Sequence, residues 1–280
     1  MRRRKTETGW SKINGMRLCV FLLLSALLPP SSLAALDRGA DGKFHQRRSA
    51  HFRLLQDVDI DHRTGRGGSR QFEQAVIEAL EDAFRQVHKK LDIRPRGAVD
   101  VVVYDPAVFD GTYSDQFRFS TVGFYDGVIH VRGDVEVNRR LVRTLHHEYF
   151  HAALDAVSAR GHVPAWLNEG LAEWFENLAI GKRRLSSAEY AYLSQANRLD
   201  RWVPLSVLSQ PTFAGLDNES ATLAYLQSYA MIEYLVRHHG EHRLRRFMRK
   251  LVRGARLEWL LKREYRVSLA ELEANLRAEL

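Results

Sequence analysis

The chain has a single cysteine, Cys19, among its 280 residues. Cys19 lies inside an N-terminal segment that reads as an export signal: Arg2, Arg3, Arg4, Lys5, Lys12 and Arg17 precede an apolar run from Leu18 to Leu28, followed by Pro29 and Pro30 and the small-x-small triplet Ser32-Leu33-Ala34. If the segment is cleaved near Ala34, no thiol remains, which excludes disulfides and a cysteine nucleophile from the mature chain. A long apolar run is also missing. Leu18–Leu28 is about half of the roughly 20 residues a membrane helix needs, so no stable span is expected in the mature protein. An excess of positive charge in the body of the chain is lacking too. Residues 1–34 hold six basic groups and one acidic group, so their removal lowers the formal net charge from +8 to +3 and leaves no argument for nucleic-acid binding. There is no internal repeat and no low-complexity tract.

The full chain is 45% hydrophobic and 10% aromatic, enough to fill a core. A polar stretch, 35–50, reads as a linker. Beyond it, His51–Asp57 has the character of a strand, Gly65–Ser69 of a loop, and Phe72, Val76, Leu80, Phe84, Val87 and Leu91 mark one face of a helix. Val101–Tyr104 is β-branched, and Val122–Val131 predicts strand on both sides of a turn at Asp126-Gly127. From Asn138 onward the pattern is helical, with a break at Gly161 and Pro164, capping boxes at Ser186/Glu189 and Ser268/Glu271, and an irregular stretch over Pro204–Ser220. This predicts an α+β, mainly helical fold. An α+β part over 51–135 and a helical part over 136–280 share one cleft.

The chemistry concentrates in TLHHEYFHAAL, Thr144–Leu154. Side chains four apart on a helix share a face, which pairs His147 with His151 and leaves His146 on another face with Phe150. Glu148 follows the first of the pair, where H-E-x-x-H metalloproteases carry their general base. The metzincin extension would need Gly at 154 and His at 157, and Leu154 and Val157 exclude it. Asp155 lies on the same stripe and is open as a ligand in another design, or as a cap near the helix end. A catalytic zinc needs a third protein ligand, and PAWLNEGLAEWFE, Pro164–Glu176, offers Glu169 after a 17-residue interval and Glu173 one turn later.

These motifs resemble the gluzincin metallopeptidases, and more specifically the small peptidase MA-like group with H-E-x-x-H followed by W-L-N/S-E-G-L-A-E. The resemblance implies a zincin-like helical part packed on a small N-terminal sheet with an active-site edge strand. It implies one zinc per chain, Glu169 as third ligand, and Glu173 as the acid that hydrogen-bonds the first ligand histidine. AYLQSYAMIEYL, Ala224–Leu235, is similar to the aminopeptidase helix that opens with a catalytic tyrosine, which places Tyr225 on that tyrosine, with Tyr229 as second candidate and ordinary helix aromatics as the plain reading of both. The corresponding edge strand, Val122–Gly133, would bind an extended substrate through Gly123 and Tyr125. It lacks the G-x-M-E-N motif that holds a substrate's free amine, and Asp126 is the only acid there that could replace it.

His238, His239 and His242 cluster at a helix end marked by Gly240, where a solvated cap is expected rather than a second metal. The basic run Arg243–Arg256 carries apolar residues at helical spacing, which predicts a packed helix with a charged outer face, attraction to an anionic membrane surface being the functional alternative. The expectation is an exported zinc metallopeptidase of the periplasm or cell envelope acting on a peptide or protein. A zinc-containing binding protein without proteolysis and a zinc hydrolase of a non-peptide amide are the alternatives.

Overall fold

The computed structural model describes residues 44–57, 68–113, 121–133, 136–158 and 163–280. The export signal, the start of the polar linker, most of the Gly65–Ser69 loop and the Gly161 break lie outside the described residues. Five strands form one mixed sheet in the order β1-β2-β3-β5-β4: β1 (Phe44–Arg48), β2 (Phe52–Asp57), β3 (Val99–Tyr104), β4 (Gly123–Tyr125) and β5 (Ile129–Arg132). The three inner strands β2, β3 and β5 run parallel, and the outer strands β1 and β4 are antiparallel to their neighbours. β1 falls within the stretch read as a linker. FHQRR has little to bury, and it is held by backbone pairing to β2, as a charged edge strand can be.

Period-two alternation gives the sheet two apolar faces. Val101, Val103, Ile129 and Val131 face the main core, whereas Val102, Tyr104 and Phe124 meet Phe109 in a smaller cluster on the opposite side. Phe109 belongs to α2 (Pro106–Tyr113), a short helix that the sequence pattern did not reveal. On the main face lies α1, Gly68–Leu91, which begins four residues before the first apolar residue of its stripe.

The remaining helices follow in sequence: α3 (Arg139–Val157), α4 (Ala165–Ala179), α5 (Ser187–Arg198), α6 (Leu205–Leu208), α7 (Asn218–His239), α8 (Glu241–Leu251), α9 (Leu257–Leu260), continued by a π-helical turn Leu261–Tyr265, and α10 (Leu269–Ala278). Helix α3 starts where Asn138 caps it, its side chain accepting from the Leu141 amide at 3.0 Å. Both capping boxes form, at the starts of α5 and α10. Pro164 is the residue just before α4 rather than in its first turn, and the Ala165 amide donates to Gln210 O instead.

The site depends on how α3 and α4 are gripped. Every residue from Thr144 to Leu154 is buried, because α3 lies between the sheet and the later helices. Helix α4 is pressed against α7 at Gly170, where a Cβ would stand 2.5 Å from Ser228 O. Only glycine permits that approach, which brings α4 close against α7 next to Glu169.

Candidate metal centre

Helical periodicity on α3 stacks His147 and His151, whose rings meet 4.8 Å apart. Helix α4 crosses them and delivers Glu169. Its Oε2 lies 3.5 Å from His147 Nε2 and 3.5 Å from His151 Nε2, and all three side chains are at most 3% exposed. His151 Nε2 and Glu169 Oε2 have no hydrogen-bond partner among the described residues, although both are buried. Buried polar atoms are normally satisfied, so such a convergence calls for a missing partner. Two imidazole nitrogens and a carboxylate oxygen are the donor set of a catalytic zinc, and at metal–donor bonds of about 2.0–2.1 Å tetrahedral donors stand roughly 3.4 Å apart. The residues fit the ion. Burial alone would raise the pKa of Glu169, but His151 and His147 outweigh it and hold the carboxyl down to about 2, in the ionised form a cation needs.

Each histidine is oriented through its other nitrogen. His151 Nδ1 lies 3.0 Å from Asn168 Oδ1, and His147 Nδ1 lies 2.9 Å from Glu176 Oε2. The second of these departs from the expectation for Glu173. Glu169, Glu173 and Glu176 are spaced i, i+4, i+7 on one buried stripe of α4, and helical spacing does not separate the last two. What separates them is Arg143, one turn before His147 on α3, whose Nη2 stands 2.5 Å from Glu176 Oε1. The arginine draws Glu176 into the gap, and its second oxygen then falls on the imidazole. Glu173 is left buried with Oε1 unpartnered among the described residues, and burial together with the neighbouring Glu176 charge pushes its pKa up to about 8. Glu176, Arg143 and Asn168 are the site residues that sequence reasoning missed. The signal for Glu176 was its place on the stripe, and for Arg143 its i−4 relation to His147.

Glu148 is 1% exposed and pushed up to about 8, by burial first and then by the charges of Glu169 and Glu176. It receives the backbone N–H of Tyr125, and its Oε1 is buried without a hydrogen-bond partner among the described residues. Strand β4 thereby lies along the active-site helix. Val122 and Asp126 exchange the bonds that bracket the Phe124–His130 pair, so Gly123 and Tyr125 direct their backbone groups outward, to the free edge. That edge is already partly engaged. The Thr121 hydroxyl donates to Gly123 O at 2.6 Å and accepts from Gly123 N at 3.2 Å. Gly123 also has a packing duty, since a Cβ there would sit 2.8 Å from His130 O and 3.0 Å from Thr144 Cγ2.

The other candidates lie as follows. The Tyr125 hydroxyl donates to Asp155 Oδ2 at 2.9 Å, so Asp155 ties the end of α3 to β4. Asp126 Oδ1 is 2.9 Å from His130 Nε2, and His130 is stacked between Tyr104 and Phe124 on the far face of the sheet. Asp126 is therefore spent on that histidine. His146 has its Nδ1 2.9 Å from Val142 O and its Nε2 3.3 Å from Asp82, a satisfied buried side chain. Tyr225 is 1% exposed, with its ring edge-on to Phe213, one turn before the Ser228 that presses on Gly170. Tyr229 lies under the Lys182 ammonium and close to Glu189, Glu233 and Glu173. His238, at the other histidine cluster, is paired with Glu279 at 2.8 Å.

A family model described as the peptidase MA superfamily matches residues 79–280, which takes in the sheet from β3 onward and every helix named above except the start of α1. No curated protein matches the chain.

Proposed function

This chain belongs to the peptidase MA superfamily, and from that membership we propose that it is a zinc-dependent peptidase of the gluzincin type whose metal is held by His147, His151 and Glu169. The observation that carries the reading is the convergence of two buried imidazole nitrogens, His147 Nε2 and His151 Nε2, each 3.5 Å from Glu169 Oε2, where neither His151 Nε2 nor Glu169 Oε2 has a hydrogen-bond partner among the described residues. Zinc bound there would polarise an attacking water and the scissile carbonyl. The chain's own residues do the rest. Glu148 accepts the water's proton at its unpartnered Oε1 and hands it to the leaving amine, for which a raised pKa is suited. Asn168 and Glu176 hold the two imidazoles in the tautomer that presents Nε2. Tyr225 is proposed as a donor to the developing oxyanion, supported by its burial one turn from the crossing beside Glu169.

The substrate is proposed to be a peptide or protein that lies extended along β4, where it would replace the Thr121 hydroxyl at Gly123. Asp126 is held by His130, which speaks against capture of a substrate amine at that carboxylate. The N-terminal signal makes export to the periplasm or cell envelope part of the same proposal. Among the described residues no helix is long and apolar enough to cross a membrane.

The test is cleavage of a mixed peptide library by the purified chain, with metal content measured alongside. Glu148→Gln is expected to retain one zinc and to lose about 10²–10⁴-fold in turnover, the usual contribution of a general base. A Gln variant as active as the parent would remove Glu148 from the mechanism. A zinc-loaded parent that cleaves no peptide would favour the binding-protein reading.

A further inference from the structure

Charge is segregated in this protein. The segment 241–266, which comprises α8, α9 and the π-helical turn, carries ten basic residues against three acidic ones, a formal +7. The chain from residue 35 onward sums to +3, so everything outside this segment sums to −4. The segment folds as a helical hairpin. Gly254 turns it with a φ of +92°, a left-handed conformation that other side chains rarely adopt. A carboxylate clasps its two arms, with Glu264 Oε1 2.5 Å from Lys250 Nζ and Oε2 3.4 Å from Arg246 Nε. Leu244, Phe247 and Met248 on one arm, and Leu260, Leu261 and Tyr265 on the other, face inward and are buried.

The outer side of the hairpin is different. Arg249, Arg253, Arg256, Arg263 and Arg266 are all exposed, and among the described residues Arg249, Arg253 and Arg266 have no carboxylate within ion-pair distance. Between them stands Trp259, 48% exposed, one of three large hydrophobic side chains exposed among the described residues. The guanidinium of Arg263 sits over its ring at 4.7 Å. Neither catalysis nor the core uses this surface.

We infer that the hairpin Glu241–Arg266 is a docking surface for an anionic phospholipid membrane, with the arginines against the headgroups and Trp259 at the interface. Unpaired cations on one side of an otherwise acidic body orient the molecule toward a negative surface and attract it there. An indole that is half in water, with arginine stems beside it, matches the amphipathic headgroup layer. A single-stranded nucleic acid would need aromatic platforms in series for its bases, whereas this surface has one ring, and Arg263 already covers a face of it. The inference does not depend on peptidase activity.

Flotation of the full chain with phosphatidylcholine vesicles, with and without about 30% phosphatidylglycerol, tests it. The six basic groups of the N-terminal segment also favour anionic vesicles, so the readout is how far the ratio of partition coefficients falls when the hairpin arginines are replaced. The anionic vesicles are expected to win by about tenfold or more, and the preference to vanish at about 0.5 M salt. Combined Arg249→Glu, Arg253→Glu and Arg263→Glu substitution should lower the preference at least about fivefold while leaving the circular dichroism spectrum and zinc content unchanged, and a preference the triple variant leaves intact would overturn the inference. Trp259→Ala should weaken vesicle binding severalfold without altering competition by duplex DNA. Equal partition of the unaltered chain into both vesicle types would overturn the inference. So would full vesicle binding by Trp259→Ala together with complete competition by DNA, because the surface would then be a general polyanion site.

Discussion

Glu173 and Glu176 sit three residues apart on one buried stripe of α4, and their surroundings are opposed. Glu176 lies between Arg143 and the imidazole of His147, whereas Glu173 has no cation in hydrogen-bond contact and is pushed toward the neutral acid. The energetic difference between them is the desolvation of a carboxylate, which the adjacent guanidinium offsets for Glu176 and to which the neighbouring Glu176 charge adds for Glu173. This ranks the two glutamates for mutagenesis. Glu176→Gln is expected to weaken zinc binding by about 10–100-fold, as loss of a partner of a ligand histidine does. Glu173→Gln keeps the shape of an acid that is already neutral and should change zinc affinity by less than about threefold. Competition with a chromophoric chelator measures both, and the reverse order would return the orienting role to Glu173.

At the scale of elements, the α8–α9 hairpin is joined to itself by one carboxylate. Lys250 is the largest influence on Glu264, and with Arg246 it holds the carboxyl below its ordinary value of 4.5, against the opposing effect of burial. A depressed folded pKa means that the stabilisation is fully present above about pH 4.5 and is lost as pH falls through the lower folded value. Glu264→Gln should therefore cost about 1 kcal/mol at neutral pH, a modest figure because Lys250 and Arg246 are themselves a third to a half exposed. The deficit relative to the parent should shrink as the pH is taken down toward 3. Urea unfolding at stepped pH checks this, and a deficit that stayed constant through the acid range would show that packing, not charge, is what the glutamate supplies.

The same scale explains what the sequence pattern missed among the elements. Long amphipathic helices such as α1 and α3 announce themselves because their apolar residues recur every three to four positions. β1 does not, because FHQRR contributes one partly buried aromatic ring and is otherwise held by its backbone, and backbone pairing leaves no mark in side-chain periodicity. Nor does α2, whose single buried residue, Phe109, covers the minor face of the sheet.

At the scale of the whole molecule, the proposed metal would join two helices that otherwise meet through packing. His147 and His151 come from α3 and Glu169 from α4, so bound zinc stabilises the folded state by linkage, about 4 kcal/mol when free zinc is a thousand times its dissociation constant. For a domain of this size each kcal/mol moves the melting midpoint by roughly 2–4 °C. Removal of the metal with a chelator is expected to lower the midpoint by about 8–16 °C, reversibly on adding zinc back. Calorimetry of the two forms tests it. A midpoint indifferent to chelator in a zinc-loaded sample would place the ion somewhere other than between α3 and α4.

The amino-acid sequence by itself determined the parts of this protein that depend on local periodicity. An i, i+4 histidine pair with an adjacent glutamate, a buried helix to carry it, a second helix bearing Glu169 and two capping boxes follow from spacing along one helix, where neighbours are set by the 3.6-residue turn. The tertiary structure decided the rest. Glu176 rather than Glu173 at the imidazole, the use of Asp126 by His130 and of Asp155 by Tyr125, and the clasp of Glu264 on Lys250 all depend on which side chain meets another across elements. Those meetings are fixed by how the helices and strands cross, and no spacing within a single helix contains that information.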